Sequence, residues 1–132
     1  MEQAIKYAFS TTLDLPFDEA VEKVKESLNA EGFGVLTEID VKATLKKKLD
    51  VDFRDYRILG ACNPPFAYQA LQSEDKIGTM LPCNVIVQEV GQGRVEVAAV
   101  DPVASMSAVT NEHLNAVAGQ VQATLRQVIE NL

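Results

Sequence analysis

The sequence predicts an α+β fold, a mainly antiparallel sheet with helices packed on one face. Three observations point there. Residues 84–90 and 94–100 are apolar, β-branched runs flanking Gly91-Gln92-Gly93, which reads as a hairpin. The remaining strand candidates are separated by helical periodicity, which gives the order β-α-β-α-β-α-β-β-α. A doubly wound parallel sheet would instead need strictly alternating crossovers and more continuous strands.

The elements follow in order. Residues 4–12 mix β-branched, aromatic and small side chains and read as a first strand. A helix starts after Pro16, with Phe17, Ala20, Val21, Val24 and Leu28 on one face and Glu22, Lys23, Lys25 and Glu26 on the other. Gly32 stops it. A second strand covers 33–39. Asp40 then caps a short helix with Val41, Leu45 and Leu49 on one side, and a third strand covers 53–61. Asn63 is the next N-cap and Pro64 takes the first helical position. Over 65–72 this helix turns Phe66, Ala67, Ala70 and Leu71 inward. Gly78 breaks the chain before Met80, the hairpin follows, and Asp101-Pro102 ends it. Residues 102–108 carry no clear pattern. Thr110 or Asn111 caps a last helix over 111–131, where Leu114, Val117, Val121, Leu125, Val128 and Leu132 form a stripe wide enough to pack on the sheet.

A chain of 132 residues with 47% hydrophobic content suits a single domain, 1–132, with a real core. With 19 Asp and Glu against 12 Lys and Arg, the net charge is −7. That argues against nucleic acid and anionic membrane surfaces as partners, since both need clustered cations. Lys46-Lys47-Lys48 is the one dense basic run, and on a helix it fans around a solvated face. No stretch approaches a membrane span of about 20 apolar residues, and the start of the chain shows no signal peptide. A cytoplasmic location is therefore expected, in which thiols stay reduced.

The two cysteines stand in two similar settings, Ala61-Cys62-Asn63-Pro64-Pro65 and Leu81-Pro82-Cys83-Asn84. Each pairs a versatile thiol with an amide that both donates and accepts. Three blocks, EGFGVLTEIDVK at 31–42, YRILGACNPP at 56–65 and LPCNVIV at 81–87, together resemble the domain of unknown function 302 family of bacteria and archaea. The resemblance spans nearly the whole chain. It implies an α+β sandwich with a TATA-binding-protein-like arrangement and a homodimer, and it implies no activity.

The distance between the thiols depends on topology. Antiparallel pairing of the third and fourth strands puts Cys62 and Cys83 at one sheet edge; parallel pairing puts them at opposite edges. The fold that the resemblance implies favours the first. A pocket lined by Cys62, Asn63, Cys83, Asn84 and Tyr68 is then expected, binding a small ligand or, through Cys62 and Cys83, a metal. Two thiols alone are a weak metal signal, because structural zinc takes four ligands. Cys62, beside a helix start whose free N–H groups favour a thiolate, is the candidate nucleophile for an alternative reading as a thiol or redox enzyme. The third reading is a non-catalytic dimeric interaction module. Binding is favoured, because no base is visible to activate a nucleophile. His113, the only histidine, falls in the first turn of the last helix and suits a capping or surface role. Arg54 and Arg57 flank Tyr56, and Asp52 and Asp55 are expected to neutralise them.

Overall fold

The structure, a computed structural model, describes residues 6–132. Its strands are β1 (Ala8–Leu13), β2 (Gly34–Asp40), β3 (Tyr56–Cys62), β4 (Cys83–Gly91) and β5 (Arg94–Val100). Its helices are α1 (Phe17–Ala30), α2 (Val41–Leu49), α3 (Pro64–Ser73), α4 (Pro102–Ser105) and α5 (Glu112–Glu130), with a 3-10 turn at Ile77–Met80. The strands form one sheet in the order β1-β5-β4-β3-β2, and every neighbouring pair is antiparallel. The expected α+β architecture is what forms. Ala4 and Ile5, the first two residues of the expected first strand, lie outside the described residues.

Strand alternation divides the sheet into two faces. Phe9, Ala99, Val85 and Leu59 are successive cross-strand partners, and all four are buried under the helices. α1 lies against β2, β4 and β5, while α5 lies against β1 and β5. α1 buries Phe17, Ala20, Val21, Val24 and Leu28, the face its spacing predicted. α5 buries Leu114, Val117, Val121, Leu125 and Val128, each contributing about 1.5–3 kcal/mol of transfer free energy before entropy is counted. Asn111 starts α5 by accepting from the Leu114 N–H at 3.0 Å. The other sheet face carries the row Ile39, Ile58, Ile86 and Ala98, with Ile39 exposed and the next three half-buried.

Several local expectations change. The short helix α2 buries nothing: Val41 and Leu45 are half-buried and Leu49 is exposed. Its apolar side is too narrow to claim a place on the core. The Asp40 cap, accepting from the Ala43 N–H at 2.9 Å, starts it, and exposed ion pairs from Lys42 to Asp55 (3.7 Å) and from Lys46 to Asp50 (3.1 Å) and Asp52 (3.5 Å) tether it weakly. Asp52 and Asp55 therefore do not neutralise the arginines. Arg57 faces α1 and pairs with Glu38 and Asp40, while Arg54 stacks on Phe53 at 4.4 Å and donates to Gln88. Glu38 is held below the usual carboxylate range, first by its hydrogen bond from Lys25 and then by that from Arg57. The unpatterned stretch after Pro102 is α4, capped by the Asp101 carboxylate. Gly78 does not simply break the chain, because it lies in a 3-10 turn whose Ile77 is buried among Ala70, Met106, Leu114 and Ala118.

Two features shape the β2–β3–β4 edge. A bulge between Val35 and Thr37 leaves Leu36 without a partner. Gly60 sits where a side chain has no room: a Cβ there would meet the Thr37 hydroxyl and lie 2.7 Å from Pro82 Cγ. Gly34, on the neighbouring strand opposite Cys62, has nothing within 4 Å of its Cβ position. Gly60→Ala should lower the unfolding free energy by roughly 1–3 kcal/mol through overpacking, and Gly34→Ala by less. Chemical denaturation of both variants checks this, and equal losses would contradict the steric account.

Candidate functional site

Pairing of β3 with β4 sets Ala61 opposite Cys83. The last residue of β3 and the first of β4 thus share one edge of the sheet. α3 leaves from that edge and packs against α5. Between the two helices and the strand ends lies an open cavity of about 280 Å³. Cys62, Asn63 and Cys83 line it, as do Phe33, Phe66 and Leu114.

Of the five residues expected at one pocket, three meet there. Asn84 instead lines a second cavity of about 300 Å³ with Cys83, Pro82 and Ser105, on the other side of the Leu81–Cys83 segment. Its register partner is Gly60, so its side chain follows the helix-free face. Tyr68 is 65% exposed and lines neither cavity, because its position on α3 points away from the inward face of Phe66, Ala67 and Ala70. Other contributors were outside the expected site. Leu36, 68% exposed at the bulge, and Leu71 lie among the lining residues, and Met106 and Ala118 form part of the floor. The helical periodicity had marked α3 and α5 as inward-facing. It could not show that a hollow remains between their apolar faces and the strand ends.

The polar content of the wall is small. Among the described residues, no Asp, Glu, Lys, Arg or His lines either cavity. His113 is exposed on α5. The start of α3 also differs from the sequence expectation of free N–H groups beside Cys62. Pro64 and Pro65 have no N–H to offer. The Phe66 N–H donates to Asn63 Oδ1 at 3.3 Å, and the Ala67 N–H donates to the Asn63 carbonyl at 2.9 Å. The positive end of a helix resides on its unpaired N–H groups, and here two of the first four are absent at the prolines and a third, that of Phe66, is engaged by the Asn63 side chain.

The thiols are unlike each other. Cys62 is half-buried and Cys83 buried, and both are free. Burial pushes the Cys83 thiol up to about 11, and the neighbouring Cys62 adds to this by charge repulsion. A metal needs thiolates, which this environment opposes. Among the described residues no group of three His, Cys, Asp or Glu side chains is placed to hold a metal ion.

A family model described as domain of unknown function DUF302 matches residues 9–132. The chain belongs to the DUF302 family. It is similar to a solved structure, the crystal structure of the uncharacterized conserved protein DUF302 from Bacillus stearothermophilus, with 26% identity and a TM-score of 0.86 over 96% of this chain and 98% of that chain. No curated protein matches. DUF302 membership thus accounts for the fold and leaves the chemistry of the cavity to its own residues. Among the described residues, no helix is long and apolar enough to cross a membrane.

The raised Cys83 thiol makes stability depend on pH. Between its ordinary value of 9.0 and about 11, the unfolded chain has released this proton while the folded chain still holds it. Rising pH therefore favours unfolding in that window, and the contribution is fully present below it. The stability difference between the wild type and Cys83→Ala should shrink by roughly 2 kcal/mol across this range. Denaturant titrations at successive pH values measure it. A difference that stays constant would contradict a buried, protonated Cys83.

Proposed function

We propose that this DUF302 protein is a single-domain binding protein that takes a small apolar ligand into the cavity at Cys62, Asn63 and Cys83. The observation that carries the reading is the composition of the wall: an open hollow of about 280 Å³, lined by hydrocarbon, two thiols and one amide. Its size falls near the lower end of small-molecule sites, about 300–1,000 Å³, which are mostly apolar with a few placed polar groups. An enzyme using Cys62 would need a partner to take its proton, and among the described residues no other titratable group but Cys83 lines the hollow. Binding is the reading that asks least of these residues. Asn84 and Tyr68, with no place on this wall, are left out of it.

The protein is further proposed to be cytoplasmic and to assemble as a homodimer. The half-exposed row Ile39, Ile58, Ile86 and Ala98 on the helix-free face is the surface a second copy would cover. A monomer mass by light scattering at micromolar concentration would contradict the dimer.

Benzene is a suitable probe of the cavity. Added to isotopically labelled protein, it should shift the amide resonances of Phe66, Ala67, Leu114 and Ala118. Ala67→Phe, which places a ring in the hollow, should abolish those shifts while the circular dichroism of the fold persists. Shifts scattered over the surface, or an undiminished response in Ala67→Phe, would overturn the binding reading.

A further inference from the structure

We infer that the ligand of this cavity is electrically neutral and carries a single hydrogen-bond acceptor, such as a ketone, ester or ether oxygen, read by the side-chain amide of Asn63. This rests on the binding reading above and goes beyond it to the chemical class of the ligand.

Neutrality follows from what surrounds the hollow. A carboxylate or phosphate inside it would lose its water and, among the described residues, meet no Lys, Arg or His in return. Such an unpaired ion costs far more than an apolar wall repays. The nearest other source of positive potential, the start of α3, is largely spent: its first two residues are prolines without an N–H, and the Phe66 N–H is bound to Asn63 Oδ1. A cationic ligand fares no better. Among the described residues no Asp or Glu lines the hollow, and Cys83 holds its proton well into the alkaline range.

The acceptor follows from Asn63. Its side chain has two ends with different fates. Oδ1 is committed to the helix cap, accepting from the Phe66 N–H. Nδ2 donates to no acceptor among the described residues, and it is not sealed from solvent, since no fully buried side-chain nitrogen or oxygen lacks a partner. Gly32 keeps the space around that nitrogen open. A Cβ at Gly32 would lie 3.1 Å from Nδ2, and the left-handed φ of +88° there already favours glycine. Asn63 therefore lines the cavity with its acceptor used and its donor free. Among the lining side chains the other polar groups are thiols, which are weak donors. An apolar molecule that presents one acceptor to Nδ2 satisfies the site; one that presents a donor finds no strong acceptor on these side chains.

Three probes of similar shape separate the outcomes: cyclohexane, cyclohexanone and cyclohexanecarboxylate. Cyclohexanone should bind at least tenfold more tightly than the carboxylate. Asn63→Asp keeps an oxygen for the cap but removes the amide donor. It should weaken cyclohexanone at least tenfold more than cyclohexane, and tenfold is the scale of one hydrogen bond, about 1.4 kcal/mol. The wild type gives a second readout that needs no variant: the Asn63 side-chain amide protons should move downfield with cyclohexanone and stay in place with cyclohexane. Equal effects of Asn63→Asp on ketone and hydrocarbon, with unmoved amide protons, would overturn the inference and leave apolar binding intact. Tightest binding by the carboxylate would overturn neutrality. Failure of all three to bind would bring down the cavity reading and this inference with it.

Discussion

The antiparallel pairing of β3 with β4, with Ala61 opposite Cys83, is the constraint from which the site is built. It carries two segments that are 20 residues apart in the chain to one edge of the sheet. It also decides which residues are core. Leu59, Ala61, Val85 and Val87 face the helices only in this register. A slip of one strand by one residue would send its own apolar set, Leu59 and Ala61 or Val85 and Val87, to the helix-free face. Gly60 ties that register to its surroundings, because Thr37 on one side and Pro82 on the other leave no room for a side chain. The bulge at Leu36 then lets β2 follow the twisted edge and turns an unpaired leucine toward the hollow.

The second theme is the scarcity of charge where the sequence suggested chemistry. Cys-Asn-Pro-Pro at the start of a helix looks like an arrangement for activating a thiol. In three dimensions it does the opposite. The prolines and the cap strip most of the free donors from the helix start, and burial keeps Cys83 protonated. What remains is a hollow whose main offer is dispersion contact and exclusion of water, with one amide for orientation. The ions of this protein lie elsewhere. Lys25, Glu38, Arg57 and Asp40 form a cluster against α1, and α2 is weakly tethered by its own lysines.

Much of this was legible in the chain, and the failures have a common cause. The faces of α1 and α5, the caps at Asn63 and Asn111, the hairpin and the shared edge of the two cysteines all follow from periodicity, local hydrogen-bonding capacity and strand direction. Each is a statement about neighbours in sequence or about one pairing. The placement of Asn84 and Tyr68, the partners of Arg54 and Arg57, and the exposure of α2 depend on what lies across from them. Asn84 is one residue from Cys83, yet alternation sends the two side chains to different faces. Leu36 reaches the cavity through a bulge that no residue type announces. The burial of Ile77 and Met106 together beside α3 and α5 follows from two short helical turns that carry too few residues for a period to show.

The central claim is that the hollow at the β3–β4 edge is an apolar binding cavity. The most direct measurement is a crystal structure of the protein under xenon pressure, read by the anomalous signal. Xenon binds apolar hollows and makes no hydrogen bonds. The account predicts a xenon site between Phe66, Leu114 and Cys83. A hollow filled by a hydrogen-bonded chain of ordered waters, with xenon bound only elsewhere, would contradict it.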